Sequence, residues 1–375
     1  MASSPQPGEK RKAEDISSDA PLDKDNIVNI DPNGDLVLVV GANLVGSSST
    51  LLNVEKTVAF RVDYKTLARN SSDFRTTFDT KNDDYKPGTS EVGWTEHLPH
   101  DSPVGLEFLF LVAHYGGFSK VPGSQSLQEV FEITSMAYEY NMLSLLEGRA
   151  KSWFPHSLFS FAPVKFPVPS TNASDLSKTF RIAYCLGNKS LLARVLEHII
   201  TGSYINNGHL TLYGEDLEDP KLGFVPGNIA YFKDERLEAL RAMCNALHGF
   251  MQQLRGTTSL DPSEKCPNHR SQKVEEEICE STALGTLERA LAKQGDWPLP
   301  EPESMDSWSI VTIEAAWCAL KIRGFSDSIH KRHRKYECDW ASGLHQRIKM
   351  AARITVQFGK VTEESLKERA AMVGL

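Results

Sequence analysis

Three short segments near the start of the chain decide its fold: residues 35–40 read DLVLVV, residues 57–62 read TVAFRV and residues 63–78 read DYKTLARNSSDFRTTF. The first two are β-branched apolar runs bounded by turn residues, a pattern typical of strands. In the third, residues of one helix face recur at steps of three and four; they are Tyr64, Leu67, Ser71, Phe74 and Phe78. Two strands that lead into a helix, with helices downstream, predict an α+β fold whose helices cover one side of a small sheet.

Three more helices are predicted after this segment, at residues 102–118, 126–140 and 143–154. The first ends at Gly116 and Gly117, as expected because glycine accepts the left-handed conformation of a helix end. The apolar faces of the first two helices indicate a core. The alternative is that part of these faces forms a groove for a partner helix.

The order of these segments resembles the opening of a BTB/POZ domain. In that family an Asp begins the first strand, as Asp35 does here, and the second strand and helix read F-x-x-H-K-x-x-L-x-x-x-S-x-x-F. This chain has Phe60, Leu67, Ser71 and Phe74 in that order, with Asp63 in place of the family's histidine. Further on, EVGWTEHLPHDSPVGLEFLFLVAHYG is similar to the third strand, acidic turn and next helix, and SLQEVFEITSMAYEYNM is similar to a helix pair ending in A-x-x-Y.

The resemblance implies a domain organisation and extends to the BTB proteins of filamentous fungi that carry a helical C-terminal half. We expect a disordered tail at residues 1–30, a BTB/POZ-like domain at 31–154 with a small mixed sheet flanked by helices, a Pro-rich linker at 155–171, and an α-helical C-terminal region at 172–375. The Ser-, Pro- and Lys-rich residues 1–26 are typical of disorder.

Length, composition and charge limit the function classes. The 375 residues suggest about two units, and 40% hydrophobic residues are enough for real cores. The net charge of −8 disfavours contact with nucleic acid or an anionic membrane. The longest apolar run, residues 106–118, includes Glu107 and His114, and we find neither a membrane span nor a secretory signal. A cytoplasmic or nuclear location is therefore expected.

The C-terminal half is predicted to contain six helices, at 174–186, 189–201, 233–255, 281–293, 307–322 and 363–373, with irregular structure at 202–232. The strongest of them, 233–255, carries a coiled-coil-like seam made by Leu237, Leu240, Cys244, Leu247, Met251 and Leu254. Since this seam is shorter than three to four heptads, packing inside a helical domain is favoured over docking of a partner helix.

The cysteines leave one metal hypothesis open. Cys185, Cys244 and Cys318 lie in apolar helical contexts, which indicates small core residues. A second set has the residue types of zinc half-sites: Cys266, His269, Cys279, His333 and Cys338. Because these half-sites are far apart in sequence, unligated cysteines and exposed histidines are the favoured interpretation and a closed structural zinc site is the alternative.

No catalytic motif emerges, so the chain is expected not to be an enzyme and to hold no cofactor. The segment GANLVGSS spaces Gly41 and Gly46 like a phosphate-binding loop but has Ser47 where the motif needs Lys. The basic run HKRHRK at 330–335 indicates a solvated helix face ahead of nuclear import, with nucleic-acid contact last.

These observations leave three hypotheses of function. The first, implied by the resemblance, is an adaptor that binds cullin-3 through the helices at 102–117 and 126–140 and presents a substrate held by the C-terminal helices. The second is a self-associating nuclear scaffold or transcriptional co-regulator. We expect the short polar lead-in before Asp31 to lack the extra N-terminal helix and strand that strand-swapped BTB dimers use, which argues against a swapped dimer but not against other assemblies. The third is an undetected enzyme in the C-terminal half.

Overall fold

The computed structural model describes residues 27–44, 56–79, 94–153, 172–256, 273–323 and 340–375. The strands in these ranges are β1 (Ile27–Asn29), β2 (Leu36–Val40), β3 (Val58–Val62), β4 (Trp94–Leu98), β5 (Tyr204–Asn206), β6 (His209–Leu212) and β7 (Glu215–Asp216). The α-helices are α1 (Tyr64–Asn70), α2 (Ser72–Asp79), α3 (Pro103–Tyr115), α4 (Leu127–Glu139), α5 (Ala150–Trp153), α6 (Ala173–Cys185), α7 (Lys189–Gly202), α8 (Pro226–Leu254), α9 (Lys273–Gln294), α10 (Ile310–Cys318), α11 (Trp340–Ala351) and α12 (Lys360–Met372). The predicted α+β class is confirmed.

The chain divides into two compact units that are discontinuous in sequence. The first contains residues 1–195, 219–225 and 357–375, and the second contains residues 196–218 and 226–356. The division falls inside α7; the predicted linker, residues 155–171, lies entirely outside the described residues. Helices from the C-terminal half, among them α6 and α12, therefore belong to the first unit.

The first unit is built on a four-stranded mixed sheet with the order β1-β3-β2-β4. β2 pairs antiparallel with β3, Leu38 facing Phe60, and parallel with β4, Leu38 facing Glu96. All five residues of β2 are buried, as expected for a central strand covered on both faces. Phe60 of β3 meets Phe110 of α3 edge-on, with 5.7 Å between ring centroids, which anchors the sheet to the helices.

β1 lies inside the segment that the sequence predicts to be a disordered tail, so the predicted tail boundary at residue 30 is wrong for residues 27–29. Ile27 of β1 faces Ala59 of β3 in parallel pairing. The side chain of Ile27 packs against a small apolar cluster that includes Val37 and Val39 of β2. A three-residue strand is too short to be recognised from its own sequence, and its hydrogen bonds exist only because β3 offers an unpaired edge.

Asp63 directly precedes the first residue of α1. Its carboxylate accepts hydrogen bonds from the Thr66 backbone N–H at 2.8 Å and from the Thr66 hydroxyl at 2.6 Å, which is an N-cap. Partial burial alone would raise the pKa of Asp63, but the bonds from Thr66 outweigh it and lower the pKa. The Tyr64 backbone N–H lies in the first turn of α1 and has no acceptor within the helix; it donates to the carboxylate of Asp35 at 3.0 Å. Asp63 therefore has a structural role at the start of α1.

α3 and α4 form a closely packed pair. Ser102 caps α3, whose first residue is Pro103 and whose end is set by Gly116 in the left-handed conformation. α4 begins with a reciprocal capping box between Ser126 and Glu129. At Gly105 the helices are so close that a Cβ would stand 2.6 Å from the carbonyl oxygen of Glu132, so only glycine permits this approach.

The remaining parts of the first unit surround α4 and α6. α6 packs along α4, and the hydroxyl of Ser177 donates to the carbonyl of Leu222, which ties residues 219–225 to the unit. α12 approaches the turn between α6 and α7 at Gly187, where φ is +70°. The predicted helix at 143–154 is replaced by a 3₁₀ turn, Leu143–Leu146, and the short α5.

The second unit contains a three-stranded antiparallel sheet with the order β5-β6-β7, so two predictions are wrong: residues 202–232 are not irregular, and the C-terminal region is not purely helical. The β5–β6 turn is Asn207-Gly208, with φ of 52° and 86°. An Asn-Gly pair between two apolar runs is a strong hairpin signal that was available in the sequence. The β6–β7 turn places Tyr213 at φ 55°, an uncommon conformation for a bulky residue.

α8 is the central helix of the second unit, and α9, α10 and α11 pack against it. It begins at Pro226 rather than near Lys233, because proline is well suited to a first helical turn. The predicted seam packs inside the unit, with Leu240, Leu247, Met251 and Leu254 buried. α11 was not predicted. Within the described part of the chain, none of the helices combines the length and apolar composition that a bilayer crossing requires.

Candidate functional site

The predicted docking face on α3 and α4 differs between the two helices. α4 buries eight consecutive residues, from Val130 to Ala137, since α3 and α6 pack against it from different sides. Inside α4, Glu132 accepts hydrogen bonds from Ser102 and Gln128, both at 2.6 Å. The apolar face of α4 is thus core, as favoured, and only the two ends of the helix are accessible: Leu127 to Glu129 and Tyr138 are half-buried, and Glu139 is exposed.

α3 keeps one outward stripe at helical spacing. Val104 and Tyr115 are exposed by 41% and 48%, Glu107 is exposed and Leu111 is half-buried. The stripe ends at an ordered corner, where the Tyr115 hydroxyl donates to the carbonyl of Ile30 at 3.1 Å and the Lys120 ammonium lies 5.7 Å from the Tyr115 ring centroid. This mixed apolar and acidic stripe, the α3 stripe, is what the predicted face offers to a partner.

His114 fixes the end of α3 against the sheet. Its Nδ1 lies 2.8 Å from the Phe110 carbonyl, and its Nε2 accepts the Asp63 backbone N–H at 3.0 Å. These two partners assign the proton to Nδ1, because a backbone N–H needs an acceptor and a carbonyl needs a donor. Both ring nitrogens of His114 are therefore engaged in hydrogen bonds that hold α3 against the start of α1.

A buried arginine without a carboxylate partner lies at the junction of α4, α6 and α12. The Arg369 guanidinium lies 4.4 Å from the Tyr184 ring centroid and 5.5 Å from that of Tyr138, and its Nη1 donates to Ser365 at 2.8 Å. Its Nε and Nη2 are buried and have no acceptor among the residues that the structure describes. Arg181 lies 5.6 Å from the same Tyr138 ring. The node is held by cation–π attraction.

The second unit contains a differently satisfied buried arginine. Arg236 of α8 donates to four backbone carbonyls; they are Ser203 at 3.3 Å, Met305 at 2.8 Å, Asp306 at 3.2 Å and Trp308 at 2.7 Å. Burial lowers the pKa of Arg236, and the nearby charge of Asp306 opposes this. These hydrogen bonds hold the loop before α10 against α8, so the role of Arg236 is structural.

His198 and Tyr213 pair a potential base with a potential acid in the second unit. His198 Nε2 lies 2.5 Å from the Tyr213 hydroxyl. Burial lowers the pKa of His198 and raises the pKa of Tyr213. Both shifts favour the neutral forms, so the pair suits a hydrogen bond that holds the β6–β7 turn rather than proton transfer at neutral pH.

Only one of the predicted zinc ligands, Cys279, lies among the described residues, so the zinc site stays a prediction. Cys266, His269, His333 and Cys338 lie outside the described residues, and Cys279 is fully buried in α9. The described cysteines Cys185, Cys244, Cys279 and Cys318 form no disulfide with one another. Burial, aided by Glu301 and Glu303, raises the pKa of Cys244 to about 11, which makes its thiol a poor nucleophile.

Two predicted segments and one unpredicted group complete the survey. The basic run 330–335 and the second half of the GANLVGSS loop, residues 45–48, lie outside the described residues; Gly41 has φ 85°. Metal-ligand types converge in the second unit, where donor atoms of His209, Asp216 and Glu218 all lie within 4.8 Å of one another. These residues are seven and two positions apart in sequence, and the β6–β7 hairpin brings them together.

Comparison with known proteins assigns no role to these residues. No protein-family model matches the chain, and a search of the curated proteins finds no matching sequence.

Proposed function

We propose that this chain is a protein-interaction adaptor whose first unit acts as a BTB/POZ-like docking module. The observation that carries the proposal is the order and pairing of the first unit. A β2–β3 hairpin leads into α1 and α2, β4 returns parallel to β2, and the α3–α4 pair follows. This is the order that the resemblance at residues 31–154 implies, and the match supports it.

The partner that the resemblance implies is cullin-3, in a ubiquitin ligase that acts in the cytoplasm or the nucleus. Because α4 is enclosed, we place the docking surface on the α3 stripe and the first turn of α4 rather than on both helices. A second unit with its own core, organised by α8, suits the role of holding a substrate.

Point substitutions in the full chain test this proposal better than truncation, since the first unit includes residues 357–375 and a cut near residue 155 would divide it. We expect the full chain to retain cullin-3 in affinity purification and to bind its purified N-terminal region. V104D and E107R on α3 should each weaken that binding tenfold or more, about 1.4 kcal/mol or more. V361D, at an exposed site on α12, is the matched control and should leave binding unchanged.

The proposal fails if cullin-3 does not bind the unaltered chain, or if V104D and E107R bind as well as V361D does. Circular dichroism of each variant separates lost binding from lost folding. Because both substituted residues are exposed, the variants are expected to fold.

One observation favours the self-associating scaffold as a second candidate. The sequence suggested that no N-terminal strand precedes Asp31, yet β1 is such a strand and lies at the sheet edge beside β3. Exchange of β1 between two copies would conserve its contacts, so it costs little. Light scattering across a concentration series tests this: a dimer that V28P converts to monomer supports it, and a monomer at every concentration overturns it.

A further inference from the structure

The β6–β7 hairpin of the second unit brings three side chains together around one point. His209 is the first residue of β6, Asp216 is the last residue of β7, and Glu218 follows two positions later. His209 Nδ1 lies 3.2 Å from Asp216 Oδ2 and 3.7 Å from Glu218 Oε2. The antiparallel register, in which Thr211 faces Asp216, holds the two chain segments at this separation.

These separations are the ones that a tetrahedral metal site requires. Zinc bonds to histidine nitrogen and carboxylate oxygen are about 2.0–2.2 Å long, and a tetrahedron with such bonds has ligand atoms about 3.3–3.6 Å apart. The distances at His209 bracket that range without any movement of the backbone. Imidazole nitrogen with carboxylate oxygen is a donor set for first-row divalent metals rather than for calcium or magnesium, which prefer oxygen alone.

Each carboxylate has one oxygen fixed by a neighbour and the other turned to His209. The Oδ1 atom of Asp216 accepts the Glu218 N–H at 2.8 Å, which leaves Oδ2 for the site. The Oε1 atom of Glu218 accepts the Leu210 N–H at 3.1 Å and the Lys233 ammonium at 2.7 Å, which leaves Oε2. Hydrogen bonds that orient ligating carboxylates in this way are typical outer-shell partners of metal sites.

We infer that His209, Asp216 and Glu218 form a binding site for a divalent metal of the zinc type. Three protein ligands leave the fourth tetrahedral position to a water molecule or to a side chain of a bound partner. The Lys233 ammonium offsets one of the two carboxylate charges, so the site is weaker than an all-anionic one. Neither the adaptor proposal nor the hypothetical cysteine site enters this inference.

Zinc titration of the full chain by calorimetry tests the inference, in a C266S/C338S background that removes the thiol half-sites from the count. We expect saturable binding of one zinc ion, weakened by about tenfold or more in H209A and in E218Q. H248A is the matched control, since His248 is an exposed histidine of the same unit, and it should bind as the background chain does. His209 is itself exposed, so H209A is expected to fold.

Cobalt replacement gives an independent readout. The cobalt-loaded background chain should show the visible bands of a tetrahedral ion without thiolate charge transfer, and H209A should lose them. Zinc should also raise the thermal unfolding temperature of the background chain but not that of H209A, because a ligand that binds only the folded state stabilises it. Absence of saturable zinc binding in the background chain, or equal binding by H209A and H248A, would overturn the inference.

Discussion

Each of the two units buries an arginine, and the two arginines differ in how their donors are satisfied. Arg236 in the second unit is 3% exposed and donates to four backbone carbonyls, whereas Arg369 in the first unit is 7% exposed and reaches a single hydroxyl. Arg369 instead lies against two tyrosine rings. Similar burial therefore has different energetic consequences.

The difference follows from what desolvation costs. A buried donor that loses water without finding an acceptor costs roughly 1–3 kcal/mol, whereas a charged hydrogen bond that is made contributes about 1.5–3 kcal/mol. Cation–π contacts return about 0.5–2 kcal/mol each. Arg236 should therefore stabilise its unit, and the gains and costs at Arg369 should nearly cancel.

The largest effect is expected from R236M. The substitution removes the charged donors and leaves the carbonyls of Ser203, Met305, Asp306 and Trp308 without this partner. The free energy of unfolding of the second unit should therefore fall by about 3–5 kcal/mol. Urea unfolding followed by tryptophan fluorescence measures this, because Trp297, Trp308, Trp317 and Trp340 all belong to that unit. R241M, which changes an exposed arginine of the same helix, is the control and should cost far less than R236M does, because exposed ion pairs contribute little to stability. Equal losses of stability in R236M and R241M would show that the hydrogen bonds from Arg236 to the four carbonyls do not stabilise the second unit.

A smaller loss, confined to the first unit, is expected from G187A. A Cβ at Gly187 would stand 2.1 Å from the Leu366 carbonyl oxygen of α12, and φ is +70°, so the variant should lose about 2–3 kcal/mol. G148A shares the positive φ, 77°, but meets no atom within 4 Å and should lose about 1 kcal/mol. Hydrogen exchange of peptides from α6 and α12 reports the difference. Indistinguishable variants would mean that α12 does not pack tightly on this turn.

D63A tests the N-cap that the Asp63 carboxylate forms at the start of α1. Loss of the N-cap should cost the first unit about 1–2 kcal/mol, whereas D63N should cost little because asparagine also caps helices. The pKa of Asp63 is lowered on folding, so its ionised form stabilises the unit above the unfolded pKa, about 3.9. That contribution disappears as the pH falls through the folded pKa. The stability gap between wild type and D63A, from urea unfolding monitored by hydrogen exchange, should therefore narrow below about pH 4. A gap that is constant with pH contradicts the cap.

The smallest effect is expected from R369M and closes the comparison with R236M. Methionine keeps contact with Tyr138 and Tyr184 and removes the two unpartnered nitrogens, Nε and Nη2, so the first unit should change by less than about 1 kcal/mol in either direction. Hydrogen exchange of peptides from α4 measures it. A loss above about 2 kcal/mol would show that the cation–π contacts outweigh the unmade hydrogen bonds.

Much of the fold follows from local sequence. The β2 and β3 segments, the helix face that falls in α1 and α2, and the positions of α3 and α4 were predicted, because each depends on residues within one helix or one strand. The apolar seam of α8 was predicted for the same reason. The β5–β7 sheet was not predicted, although the Asn207-Gly208 pair is a signal for its first turn. α11 was not predicted either, and its sequence has no comparable signal.

Sequence by itself determined most of the long helices, the central strands β2 and β3 and the α8 residues that form its seam, since hydrophobic periodicity acts over a few residues. Only the tertiary structure decided that α4 is enclosed, that Arg236 finds four carbonyls while Arg369 finds none, and that His209 meets Asp216 and Glu218. Those outcomes depend on which distant segments pack together. Residues 357–375 join the first unit, and a short hairpin folds back in the second, for reasons of packing that local patterns do not contain.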